Sequence, residues 1–153
     1  MKAVIQRTAY CRVTVDGRET GSIQKGLLVL LGVSDNDTEK ELDYLAEKII
    51  GLRIFEDEQG KMNLSLADVG GELMVVSQFT LYGDCRKGRR PSFIGAGKPE
   101  HANAMYEKFI QKAQQLNVAK VAHGEFGADM KVELLNDGPV TLILDTDEIM
   151  PKK

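Results

Sequence analysis

Gly26-Leu27-Leu28-Val29-Leu30-Leu31-Gly32 is a run of five apolar residues closed at each end by glycine. Five residues suit a strand better than a helix, and an apolar side chain at every position suits a strand covered on both faces. The neighbouring segments read in the same sense. Upstream, Val13 and Val15 alternate with Arg12 and Thr14, so residues 2 to 15 form a strand of period two. Asp16-Gly17 then supplies a hairpin turn, because glycine accepts the positive φ such turns need, and residues 18 to 24 return as the second arm.

Downstream, Thr38 and Glu41 form a capping-box pair. Leu42, Leu45, Ala46, Ile49 and Ile50 follow at helical spacing, which predicts a helix over 38–51. Segments 53–55 and 61–66 read as a hairpin around Glu58-Gln59-Gly60. Leu73-Met74-Val75-Val76 begins a central strand that runs into Ser77. Residues 83–98, rich in glycine, proline and cations, read as a long functional loop. Pro99 suits the first turn of a second helix, whose apolar face runs from Ala102 through Met105, Tyr106, Phe109, Ile110 and Ala113 to Leu116. Residues 118–123, 130–136 and 140–145 read as three closing strands. Strands dominate and most are joined by short turns. The expectation is an α+β fold: a mostly antiparallel, curved or barrel-like sheet with two packed helices, in one domain over 1–153.

The bulk numbers exclude several classes. The 153 residues are 42% apolar and 28% charged, ordinary for a globular domain, and no apolar run approaches a membrane span. The N-terminus meets Arg7 after a short apolar stretch and lacks a secretory signal, so the cytoplasm is expected. Cys11 and Cys85 read as free thiols. His101 and His123 share no ligand spacing with each other or with the cysteines, so neither a metal nor another cofactor is expected. A net charge of -3 argues against a broad grip on nucleic acid, leaving Arg86-Lys87-Gly88-Arg89-Arg90 as a local candidate.

Three constellations carry chemistry. Ser77-Gln78-Phe79-Thr80-Leu81 sits where the central strand ends. Backbone amides freed at a strand end can face a developing oxyanion, and Phe79 can wall a pocket. The plainer reading is polar residues facing solvent. No Gly-x-Ser-x-Gly elbow is present and no motif places a histidine as base, so Thr80 is a poor lone nucleophile. Asn136-Asp137-Gly138-Pro139-Val140-Thr141 reads either as an ordinary hairpin or, with a cis prolyl bond, as a rigid display of carbonyl groups. Such a display suits rejection of a side chain by clash. The basic loop is a solvated face or, with Phe93 as a stacking ring, a grip on a single-stranded RNA end.

Together these motifs resemble those of the bacterial D-aminoacyl-tRNA deacylases over essentially the full chain. The matching residues are Met1 to Arg7, Ser77 to Leu81, Gly88 to Phe93, Gly124-x-Phe126-Gly127-Ala128-x-Met130 and Asn136 to Thr141. The resemblance implies hydrolysis of the ester joining a D-amino acid, or glycine, to the terminal ribose of tRNA. It implies a homodimer with active sites at the interface. It also implies a cis Gly138–Pro139 bond entering the partner's pocket near Ser77 to Thr80. On that basis Gln78 and Phe79 offer backbone amides to the oxyanion, while Ser77 and Thr80 order substrate or water. Gly138 and Pro139 filter chirality, Arg7 braces them, and Lys87, Arg89 and Arg90 meet tRNA phosphates. A covalent role for Thr80 stays open beside a positional one. A non-enzymatic RNA- or DNA-binding module and a general small-ester hydrolase are the alternatives.

Overall fold

A computed structural model describes residues 1–151 of the chain; the last two residues of the expected 1–153 domain lie outside them. The elements run β1 (Lys2–Val15), β2 (Arg18–Ile23), β3 (Gly26–Gly32), α1 (Glu39–Gly51), β4 (Phe55–Glu56), β5 (Met62–Leu64), β6 (Glu72–Ser77), a 3-10 turn (Phe79–Tyr82), α2 (Pro99–Gln114), β7 (Lys120–His123), β8 (Lys131–Asp145) and the short α3 (Thr146–Ile149). The main sheet has the order β2-β1-β3-β6-β7, with β8 paired along the other edge of β1. Gly21 of β2 lies so close to β7 that an added Cβ would stand 3.0 Å from the His123 carbonyl oxygen. The sheet therefore curls until its ends approach each other, which gives the barrel-like core.

The apolar run in β3 has a direct explanation. Leu27, Val29 and Leu31 belong to a core shared with Leu42, Leu45 and Ile49 of α1 and Met105 and Phe109 of α2. Leu28 points the other way, into a second core with Cys11, Val13, Ile23, Met74 and Val76. One strand thus feeds two cores, and each fully buried Leu or Ile in them contributes roughly 1.5–3 kcal/mol.

α1 begins where its capping box places it. Lys40 N–H donates to Thr38 Oγ1 at 3.2 Å, and Thr38 N–H donates to Glu41 Oε2 at 2.7 Å. Asp16 and Gly17 turn between β1 and β2 with φ of 50° and 79°. The sheet is mixed. β1 pairs antiparallel with β2, β3 and β8, whereas β3–β6 and β6–β7 are parallel. The short-turn argument does not reach those two pairs, because each is joined through a helix long enough for a crossover.

The closing segments differ from expectation. Residues 130–136 and 140–145 are not two strands but parts of one, β8. Its ladder with β1 aligns Gln6 with Thr141 and Thr8 with Asn136. Asp137 to Val140 therefore stand opposite Arg7 alone and bulge outward, so Asp137-Gly138 is not a hairpin.

Candidate active site

β6 ends at Ser77, and the chain turns at once into the 3-10 turn. Gln78 N–H donates to Leu31 O at 2.8 Å, so this amide is spent on the sheet. Phe79 and Thr80 open the turn, where N–H groups have no acceptor within the turn itself. Among the described residues no backbone acceptor takes either of them. The Gln78 side-chain amide donates to Thr80 Oγ1.

Ser77, Gln78 and Phe79 border a cavity of about 650 Å³, whose walls also include Phe93, Lys98, Phe126, Asp129 and Met130. The size lies within the usual range for small-molecule sites. Phe79 is 54% exposed. It meets Phe93 edge-on, with centroids 5.2 Å apart at 72°. No histidine lines the cavity among the described residues. The cavity wall offers the Ser77 hydroxyl, the Asp129 carboxylate and aromatic rings, with the Thr80 amide and hydroxyl one residue beyond Phe79. It suits reactions limited by oxyanion stabilisation and placement of the attacking group.

The basic loop follows directly. Asp84 and Ser92 exchange backbone hydrogen bonds of 2.7 and 2.9 Å, which pinches off a tip. Arg86 folds back on Asp84, with Nη2 at 2.7 Å and Nε at 2.9 Å from its two carboxylate oxygens. This hydrogen-bonded fork pulls the Asp84 carboxyl down to about 2. Arg86 is thereby engaged within the loop by Asp84. Lys87, Arg89 and Arg90 are exposed at the tip and have no ion pair among the described residues.

The second motif forms a separate structure. The Gly138–Pro139 bond is cis, and Gly138 has φ of +126°. Arg7, 7% exposed, sits beneath the bulge. Its Nε donates to Asp137 O at 3.1 Å and its Nη1 to Ile54 O at 2.8 Å. Arg7 thus links the first limb of the bulge to the carbonyl of Ile54.

Within one chain the two motifs do not meet. Asn136 aligns with Thr8, which faces Gly26 at the start of β3, whereas Ser77 aligns with Leu31 near its end. Five residues of strand separate those positions, about 16 Å at the usual rise. Ser77, Gln78, Phe79 and Thr80 are brought together, as are Arg7, Gly138 and Pro139, but the two groups occupy opposite ends of the sheet. Phe126 and Met130 line the cavity although the sequence offered them only as matching residues without a role. Asp84 and the Asn136 side chain were missed as well. A carboxylate two residues before an arginine was the available sign of the first.

A mixed, curled sheet backed by helices, with an aromatic-walled cavity at a strand end that no histidine lines among the described residues, sets the chain apart from the histidine-dependent triad enzymes. Residues 4–145 match the family model described as D-Tyr-tRNA(Tyr) deacylase. The chain is 62% identical over 146 residues to a D-aminoacyl-tRNA deacylase of Desulfatibacillum aliphaticivorans, covering 95% of this chain and 99% of that one. It is 60% identical over 148 residues to one of Clostridioides difficile, covering 97% and 99%. A solved structure named c-Myc DNA Unwinding Element Binding Protein superposes with a TM-score of 0.90 at 43% identity, covering 95% of this chain and 98% of that one. A structure described as a "probable eukaryotic D-amino acid tRNA deacylase" superposes with a TM-score of 0.82 at 16% identity, covering 94% and 97%, which bears on the fold alone. The chain belongs to the D-Tyr-tRNA(Tyr) deacylase family.

Proposed function

We propose that the protein hydrolyses the ester of D-aminoacyl-tRNA, and of glycyl-tRNA, releasing the free amino acid and reusable tRNA. The observation that carries this is the histidine-free, aromatic-walled cavity bordered by Ser77, Gln78 and Phe79 in a chain 62% identical to a D-aminoacyl-tRNA deacylase. Water attacks the ester carbonyl, the C–O bond to the ribose breaks, and the ribose oxygen takes the proton. The neighbouring ribose hydroxyl of the substrate assists the water, so no protein base is required. The free amides of Phe79 and Thr80 hold the oxyanion, while Ser77 and the Thr80 hydroxyl order substrate and water.

Handedness is decided by exclusion. Contacts to the ammonium and the ester cannot separate two mirror-image side chains. A main-chain wall placed where an L side chain would project can do so. Gly138 and Pro139 form that wall, braced by Arg7. Because one chain holds them far from its own Phe79, they serve the pocket of a second copy, in a homodimer with sites at the interface. The exposed apolar Tyr10, Leu135 and Ile143 on β1 and β8 give such a copy a surface to cover. Lys87, Arg89 and Arg90 meet phosphates near the tRNA end, and the protein works in the cytoplasm, where charged tRNA is used.

Purified protein should release D-tyrosine but not L-tyrosine from charged tRNA. Equal loss of both would end the chirality reading, and rapid turnover of a simple ester lacking tRNA would favour a general esterase. A second reading, nucleic-acid binding without catalysis, draws on the DNA-binding name of the 43% identical structure. It requires salt-sensitive binding of uncharged, unrelated nucleic acid with no ester turnover.

A further inference from the structure

We infer that Asn136 and Thr141 are positioning residues that set where the Gly138–Pro139 wall stands, and hence how strictly L substrates are refused; this rests on the chirality reading above. A bulge with four residues opposite one has no ladder hydrogen bonds of its own to fix its shape. Side chains must supply them. Arg7 holds the first limb through Asp137 O. Among the described residues no side-chain hydrogen bond reaches the second limb from below; it is held by burial of Val140 and by bonds at the neck.

There the Asn136 amide acts in both directions. Its Nδ2 donates to Thr141 Oγ1 at 3.0 Å, joining the two ends of the bulge. Its Oδ1 accepts from Val140 N–H at 3.4 Å, the first amide after the proline. Thr141 Oγ1 also accepts from Gln6 Nε2 at 3.4 Å, so the hydroxyl uses both acceptor sites and ties the neck to β1. Val140 is 9% exposed and anchors in the main core, which leaves the tip to follow the neck. The Asn136–Thr141 bond is solvent-exposed, so its loss removes little from the fold. Its effect belongs in the placement of the tip.

The test compares Thr141→Val, Asn136→Ala and Thr141→Ser with the wild type. Single-turnover rates on D- and L-tyrosyl-tRNA are read together with Tm. Displacements of a reacting or excluding group by about 1 Å change rates by up to roughly 100-fold, so the D:L ratio should fall by about tenfold in Thr141→Val and Asn136→Ala. Thr141→Ser, which keeps the hydroxyl, should hold the ratio, with Tm little changed throughout. Gln6→Ala, at a longer bond and outside the bulge, should shift the ratio the same way by less, and stands in if a neck variant fails to fold. An unchanged ratio in folded Thr141→Val and Asn136→Ala, or D and L rates falling in parallel, overturns the inference. If the wild type does not discriminate, the chirality reading itself has failed. If it discriminates and the neck variants do too, only the staple has.

Discussion

Gly138→Ala probes the bulge where it is tightest. A Cβ at this position would stand 2.9 Å from Val140 Cγ2 and 3.0 Å from both Arg7 Nη2 and Val140 N. Carbon contacts are comfortable only from about 3.5 Å. The backbone φ of +126° adds a penalty for any L residue, on the order of 1–3 kcal/mol. Arg7 cannot yield freely, since its guanidinium is held by two carbonyl oxygens. Giving up one such charge-assisted bond costs about 1.5–3 kcal/mol. The combined strain is roughly 2.5–6 kcal/mol, from the ranges for a forbidden backbone region and a lost ionic hydrogen bond. If all of it appeared as stability, Tm would fall by at least about 5 °C for a chain of this size. The bulge can instead swing outward, and each 1.4 kcal/mol of exclusion lost then admits L substrate about tenfold faster. Calorimetry and paired deacylation of D- and L-tyrosyl-tRNA read both outlets. A variant with wild-type Tm and a wild-type D:L ratio would show room beside Gly138 that the structure denies, and the steric reasoning would be wrong.

Thr80→Ala should leave substantial D-specific activity if the hydroxyl only positions water; near-total loss, with an acyl-protein ester trapped in the wild type, would instead make it the nucleophile. Thr38→Ala removes one half of the α1 capping box and should lower stability by about 1 kcal/mol, measured by urea denaturation; no change in the midpoint would count against the cap. Native protein at pH 8 should bind one thiol reagent per chain, at the exposed Cys85, and two after denaturation. Burial raises the Cys11 thiol from 9.0 to about 11. The stability linked to its protonated form is therefore complete below pH 9 and fades as pH climbs toward 11. Prompt native labelling of both thiols would contradict that burial.

Local signals made much of this architecture legible. The alternation in β1, the Asp16-Gly17 turn, the capping box at Thr38 and Pro99 at the head of α2 are all decided within a few residues, and the structure follows them. The apolar β3 was readable as covered on both faces, though not that its odd and even residues enter different cores. β8 could not be read whole. Asp137-Gly138 is ordinary turn chemistry, and the strand goes past it because its ladder with β1 resumes on both sides, with Arg7, 130 positions earlier in the chain, donating to Asp137 O. The parallel pairing of β3 with β6 likewise cannot be read from either strand alone, because α1 and the β4–β5 pair lie between them in the chain. At the site, the Ser77 to Thr80 motif pointed correctly to a strand end. The engagement of the Gln78 amide with Leu31 O depends on where the neighbouring strand stops, which the motif does not encode. The family motifs identified both clusters, but their placement at opposite ends of the sheet emerged only from the ladder register.

The pinch between Asp84 and Ser92 separates two jobs mechanically. Residues 85–91 hang outside it, while Phe93 sits inside it against Phe79. Insertions, deletions or altered cation number in the hanging segment would leave the cavity wall undisturbed. Under the proposed function, grip and turnover thus become traits that mutation can tune one at a time.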